Sequence, residues 1–241
     1  MCEYEPVAYL IYLLILGMIL VRMIRQNETR ADGEDDPSRW LVWAVAVLVI
    51  GDTFHLLTLA EEGQFGVHPI FQSSDGHNIT WTGVGTFASS FTLTLFYSFL
   101  LFYTRGMKDQ PWSGLELTIA GFLCARFILI LFPDNWGVGA TDLWRVIRNI
   151  PFFVGGVGIS LLFFQEARTG PVKPARWMGL AGLSIIFSFI FYLGSLLSAG
   201  NPFWVRMQMA AKSVCYLFMA FSLSEIGVMS PGAQEPMGPM K

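Results

Sequence analysis

The chain has 241 residues, of which 54% are hydrophobic and only 14% charged, against about 25% charged in an average soluble domain. That balance excludes an ordinary soluble domain, and a formal net charge of −3 offers no basic face for nucleic acid. Three cysteines are odd in number and two of them, Cys124 and Cys215, fall inside apolar stretches, so no disulfide framework is implied.

A helix crosses a bilayer with about 20 apolar residues. Seven stretches meet that requirement, at 6–24, 40–60, 81–103, 114–132, 142–166, 177–197 and 203–226. They predict an all-α, polytopic membrane protein, a single bundle of seven transmembrane helices over residues 1–228. The first span follows "MCEYEP", acidic where a cleavable signal would be basic, so it is expected to stay as a helix. The second carries "GDTFHL", in which Asp52 and His55 stand three positions apart and share a face. The third, "WTGVGTFASSFTLTLFY", sets Ser89, Ser90 and Tyr97 near one stripe with Thr86, while Gly83 and Gly85 allow close helix approach. The fourth holds Arg126. In the fifth, Arg145, Arg148 and Asn149 precede Pro151, which frees a carbonyl near Ile147, and the Gly155-Gly156-Val157-Gly158 run predicts a break. The sixth has little that ionises. The seventh contains Arg206, Gln208 and Lys212, and the Pro/Gly-rich residues 229–241 read as a disordered cytoplasmic tail.

Basic residues near span ends are retained in the cytoplasm. Arg22, Arg25, Arg30, Arg39, Arg105, Lys108, Arg168, Lys173, Arg176 and Lys241 all fall on one side, and the opposite loops hold none. The N-terminus is therefore expected outside and the C-terminus inside, in the plasma membrane. Of the 15 Lys and Arg, this leaves Arg126, Arg145, Arg148, Arg206 and Lys212 within or at the edge of spans. Arg145 beside Trp144 and Arg206 beside Trp204 read as interfacial anchors. The others each need a partner or a wet cavity, because a charge at the bilayer centre costs about 2.5–3.5 kcal/mol on insertion scales.

With a rise of about 1.5 Å per residue, Asp52 stands about 18 Å along its span and Lys212 about 13 Å down from the other direction, at similar depths. The two either neutralise each other as a tie between helices or face a shared cavity. Asp52, His55, Ser89, Ser90, Tyr97, Arg126, Arg148, Asn149, Gln208 and Lys212 thus predict a basic cavity in the outer half. Unless Glu61, Glu62, Asp134 or Asp142 neutralise it, such a cavity favours an anionic head group, and the surrounding Phe, Trp and Leu suit an apolar tail. The loop "EEGQFGVHPIFQSSDGHNIT" reads as a lid. It also places His68 and His77 beside Glu61, Glu62 and Asp75, but at no established metal-site spacing, and Asn78-Ile79-Thr80 is a glycosylation sequon.

Together, "GDTFHL", "LTLFY", "RNIPF" and a lysine in the last span resemble a group of prokaryotic seven-helix integral membrane proteins to which no activity attaches. Those relatives carry Pro-Lys-Thr in the last span where this chain has Ala211-Lys212-Ser213. Seven helices with Lys212 and Asp52 also invite comparison with retinal proteins, whose lysine forms a Schiff base beside an aspartate counter-ion; span three here lacks that family's acidic residues and span six its aromatic-proline pattern.

Three functional classes follow. The first is a cavity for an amphipathic anionic small molecule or lipid, used in transport or in sensing with a cytoplasmic partner protein. The second is an intramembrane lipid-modifying enzyme with His55 as general acid or base, Asp52 orienting it or sharing a proton, and Arg148 or Lys212 stabilising negative charge. The third is a structural membrane protein whose polar residues only specify helix packing. No cofactor is readable from the residues.

Overall fold

The computed structural model describes residues 5–29, 36–66, 68–72, 78–108, 111–132, 142–169, 172–197 and 202–229. The tail expected from 229 onward lies outside the described residues but for Met229, as do His77, Asp75 and Asp134. The same holds for the side chains of Arg145, Asp142 and Arg206.

The elements run α1 (Glu5–Glu28), α2 (Ser38–Phe65), β1 (Pro69–Gln72), β2 (Asn78–Thr80), α3 (Trp81–Gly106), α4 (Gly114–Ile130), α5 (Asp142–Thr169), α6 (Val172–Leu197) and α7 (Pro202–Met229). Six of the helices are long and apolar enough to cross a membrane. The chain is an integral, multi-pass membrane protein. The exception, α4, has 17 residues, about 25 Å of helix.

Local chemistry sets the ends. Ser113 and Glu116 form a reciprocal capping box at the start of α4: the Ser113 amide donates to Glu116 Oε2 at 2.7 Å, and the Glu116 amide donates to Ser113 Oγ at 3.3 Å. Thr80 caps α3, its hydroxyl accepting from the Gly83 amide at 3.2 Å. Helix α6 starts at Val172, five residues before the apolar run, because Pro174 fits a first turn that has no use for its missing N–H.

The break expected in the fifth span does not occur. Helix α5 runs on through Pro151 and the glycine run. The glycines serve packing instead: a β-carbon at Gly155 or Gly158 would press on Leu123 or Ile119 of α4, and one at Gly156 would collide with Phe189 of α6.

Each helix packs on its successor, and α7 returns to α1, so the seven form a ring in chain order. Polar contacts fasten one end of it. Arg22 of α1 bonds Glu225 of α7 at 2.7 Å, and Lys108 after α3 bridges Glu166 of α5 at 2.7 Å and Glu116 of α4 at 3.5 Å. The β1–β2 hairpin lies at the opposite end, where α2 finishes and α3 begins. The buried core joins Leu16, Leu48, Phe96, Leu100, Phe163 and Met219. On the outside, Leu10, Leu14, Met18, Ile128, Phe187 and Phe218 stay exposed, the inverse of a soluble surface and the right one for lipid.

The α2–α3 seam is the closest of these contacts. A β-carbon at Gly51 would overlap the Thr92 side chain, and one at Gly85 would overlap Thr58 of α2. Gly51→Val is expected to lower stability by about 1–3 kcal/mol through overpacking, measured by thermal unfolding in detergent. An unchanged melting temperature would mean that the helices do not meet there.

A buried basic cavity as the candidate functional site

Six of the seven helices surround a cavity of about 130 Å³ in the half of the bundle nearer the hairpin. Helix α2 contributes His55, and α3 contributes Thr86, Ser89, Ser90 and Leu93. From α4 and α5 come Arg126, Arg148, Asn149 and Phe152. Ser188, Phe189 and Tyr192 close one wall from α6; Gln208, Met209, Lys212 and Tyr216 close the other from α7.

Eight of the ten residues singled out in the sequence therefore meet around one space. Asp52 and Tyr97 stand outside the lining. Asp52 is buried where α1, α2 and α7 meet: Tyr12 donates to its Oδ2 at 2.5 Å, and Lys212 Nζ donates to its Oδ1 at 3.1 Å. The tie between α2 and α7 exists, with a third member from α1. Tyr97 is fully buried, its ring packed on Phe96, Phe152 and Phe189 at centroid distances of 5.2, 5.5 and 6.2 Å. It supports the aromatic wall rather than facing the cavity.

The two arginines differ. Arg126 is 2% exposed, yet its Nε and Nη1 have no hydrogen-bond partner among the described residues. Its guanidinium carbon sits 3.7 Å from the centroid of the Phe152 ring, close enough for a cation–π contact. Arg148 and the buried Asn149 have further interactions of their own. Lys212 lies 5.1 Å from the Tyr216 ring as well as against Asp52.

Of the acids expected at the rim, Glu61 and Glu62 do not pair with Arg126, while Asp134 and the side chain of Asp142 lie outside the described residues. Glu62 accepts from the Thr82 amide at 2.9 Å, and Glu61 is not part of the lining. His68 Nε2 sits 2.5 Å from the Phe65 carbonyl oxygen, and no group of three metal-ligating side chains occurs among the described residues. Of the α3 hydroxyls, Thr86 donates to the Thr82 carbonyl at 2.8 Å, the self-bonding common in apolar helices.

No family model, curated protein or solved structure matches this chain. Its chemistry is read from the site alone. The cavity lining brings Arg126, Arg148 and Lys212, the amides of Asn149 and Gln208 and the α3 hydroxyls against an aromatic wall. Among the described residues Asp52 bonds Tyr12 and Lys212 rather than His55, and His55 Nδ1 is buried without a hydrogen-bond partner.

Sequence reasoning missed the walls. Phe152, Phe189, Tyr192 and Tyr216 were unremarked among 21 Phe and 7 Tyr. Tyr216 carried a signal, being one helical turn from Lys212. Tyr12 carried another, as one of two tyrosine hydroxyls, with Tyr9, in an apolar span.

Proposed function

We propose that this protein binds an amphipathic anionic small molecule in its membrane-embedded cavity, as a transporter or as a sensor coupled to a cytoplasmic partner. In this reading α4 is the seventh span, the N-terminus is outside, and the cavity lies in the outer half of the plasma membrane, with the hairpin as its cover.

The observation that carries the reading is Arg126, a guanidinium in the cavity lining whose Nε and Nη1 have no hydrogen-bond partner among the described residues. Burying an uncompensated charge costs several kcal/mol. An anion supplied from outside offsets that cost, and Arg148, Asn149 and Gln208 stand around the same space to orient it. The volume suits a small ligand or a small head group. A cavity of about 150 Å³ accommodates benzene, and this one is of that order. The same comparison disfavours a retinal chromophore, which has several times as many carbons, although Lys212 and Asp52 have the spacing of an amine and its counter-ion.

Native mass spectrometry of the detergent-solubilised protein, followed by analysis of its organic extract, tests the reading. The wild type is expected to retain an anion that Arg126→Gln and Arg148→Ala release while remaining folded. An extract identical for all three would count against a binding function and leave helix packing as the role of these residues.

A further inference from the structure

Resting on the reading of the cavity as an anion site, we infer that anion binding there is coupled to the uptake of one proton by Asp52. The coupling follows from where Lys212 stands. Lys212 lines the cavity, and its ammonium donates to Asp52 Oδ1 at 3.1 Å. The Lys212 side chain is 19% exposed and that of Asp52 6%, so the lysine is the half of the pair that an entering anion meets.

An anion in the cavity competes with Asp52 for that ammonium, which rides on a flexible four-carbon stem with three rotatable donors. Once the ammonium turns to the anion, Asp52 keeps one neutral donor, the Tyr12 hydroxyl. A carboxylate buried without a counter-charge neutralises by taking a proton rather than persisting as an ion. The proton comes from solution and bonds to the carboxylate oxygen that Lys212 leaves. One anion and one proton arrive together, and the net charge of the site is unchanged.

The groups around Asp52 fix the assignment. Helix α1 presents Tyr12, and α7 presents Lys212 with Tyr216 within electrostatic range. Helix α3 meets α2 through Gly85 and Thr92, and its Tyr97 packs on Phe152 and Phe189. Arg126 and Arg148 face the cavity from α4 and α5. His55, on the same helix as Asp52 and within its electrostatic range, is the rival acceptor. A proton there would add a positive charge beside Arg126, Arg148 and Lys212, whereas a proton on Asp52 removes a stranded negative one.

The test is calorimetric titration of the purified protein in detergent with nitrate, methanesulfonate and butanesulfonate. These probes stay ionised throughout, so any pH dependence belongs to the protein. A probe bound by the wild type is expected to bind about tenfold more tightly for each pH unit lowered from about 8 to about 6, the slope of one linked proton. Buffers of different ionisation heat are expected to report that proton directly. Asp52→Asn, uncharged from the start, is expected to bind with a flat pH profile. Should that variant fail to fold, infrared difference spectra of the wild type decide: a carboxylic acid band is expected to appear when the probe binds, and its absence overturns the coupling. A probe bound equally at every pH would overturn the coupling and leave the anion site intact. A pH dependence kept in Asp52→Asn and lost in His55→Gln would overturn the assignment to Asp52. Failure of the wild type to bind any probe would overturn both the coupling and the anion reading beneath it.

Discussion

Arg126→Met is expected to stabilise the protein by about 1–4 kcal/mol while abolishing anion binding. The magnitude follows from the behaviour of buried charges replaced by apolar groups of similar volume. Arg126 spends its solvation on entering the bundle and, among the described residues, gains the contact with Phe152 at 3.7 Å, worth up to about 2 kcal/mol when desolvated. Methionine keeps a contact of its own with the ring through sulfur and carries no charge to desolvate. Thermal unfolding in detergent with and without the anion gives both quantities. The opposite signs are the discriminating feature: a residue kept for packing loses stability when replaced, whereas one kept for a ligand gains it. A melting temperature lowered by Arg126→Met would place Arg126 among the packing residues and remove the main support for a binding cavity.

Asp52→Asn and Lys212→Met are each expected to cost about 3–5 kcal/mol, because each strands the other partner's charge inside the bundle. The double variant is expected to recover most of that loss, leaving a coupling energy far above the roughly 0.5 kcal/mol scatter of independent sites. Tyr12→Phe is expected to cost less, about 1.5–3 kcal/mol, as the loss of one hydrogen bond to a charged acceptor. Tyr12 lies behind Asp52 and not in the cavity wall, so its removal is expected to leave ligand affinity unchanged. Denaturation midpoints for the three singles and the double decide the matter, and strictly additive losses would show that Asp52 and Lys212 do not interact in the membrane.

Much of this arrangement is legible in the residues because polar groups in an apolar run are conspicuous. His55, Arg126, Arg148, Asn149, Gln208 and Lys212 stand out one by one, and the cost of burying each demands a common destination. Their convergence follows from depth along each span. What depth does not give is rotation. Asp52 and His55 are three positions apart, which on a helix with 3.6 residues per turn leaves about 60° between them. That angle divides them here, Asp52 turning to α1 and α7 and His55 to the cavity. The aromatic wall is illegible for a related reason. Phe and Tyr suit lipid and core alike, so only the closing of the ring decides that Phe152 and Phe189 face inward while Phe187 and Phe218 face out. The glycine run misleads because the same residue that weakens a helix also lets helices touch, and in α5 its neighbours Leu123, Ile119 and Phe189 use that closeness.

The chain-order ring also carries a schedule for biogenesis. A ribosome delivers α1 before α7, so the gap that α7 fills stays open until α7 itself is made. Tyr12 and Asp52 are already in the bilayer when Lys212 arrives, and an acceptor is waiting for its ammonium. The lysine's entry cost is met at the moment of docking rather than carried in lipid. Truncation before α7 would leave the Asp52 carboxylate with Tyr12 but without the Lys212 ammonium that neutralises it.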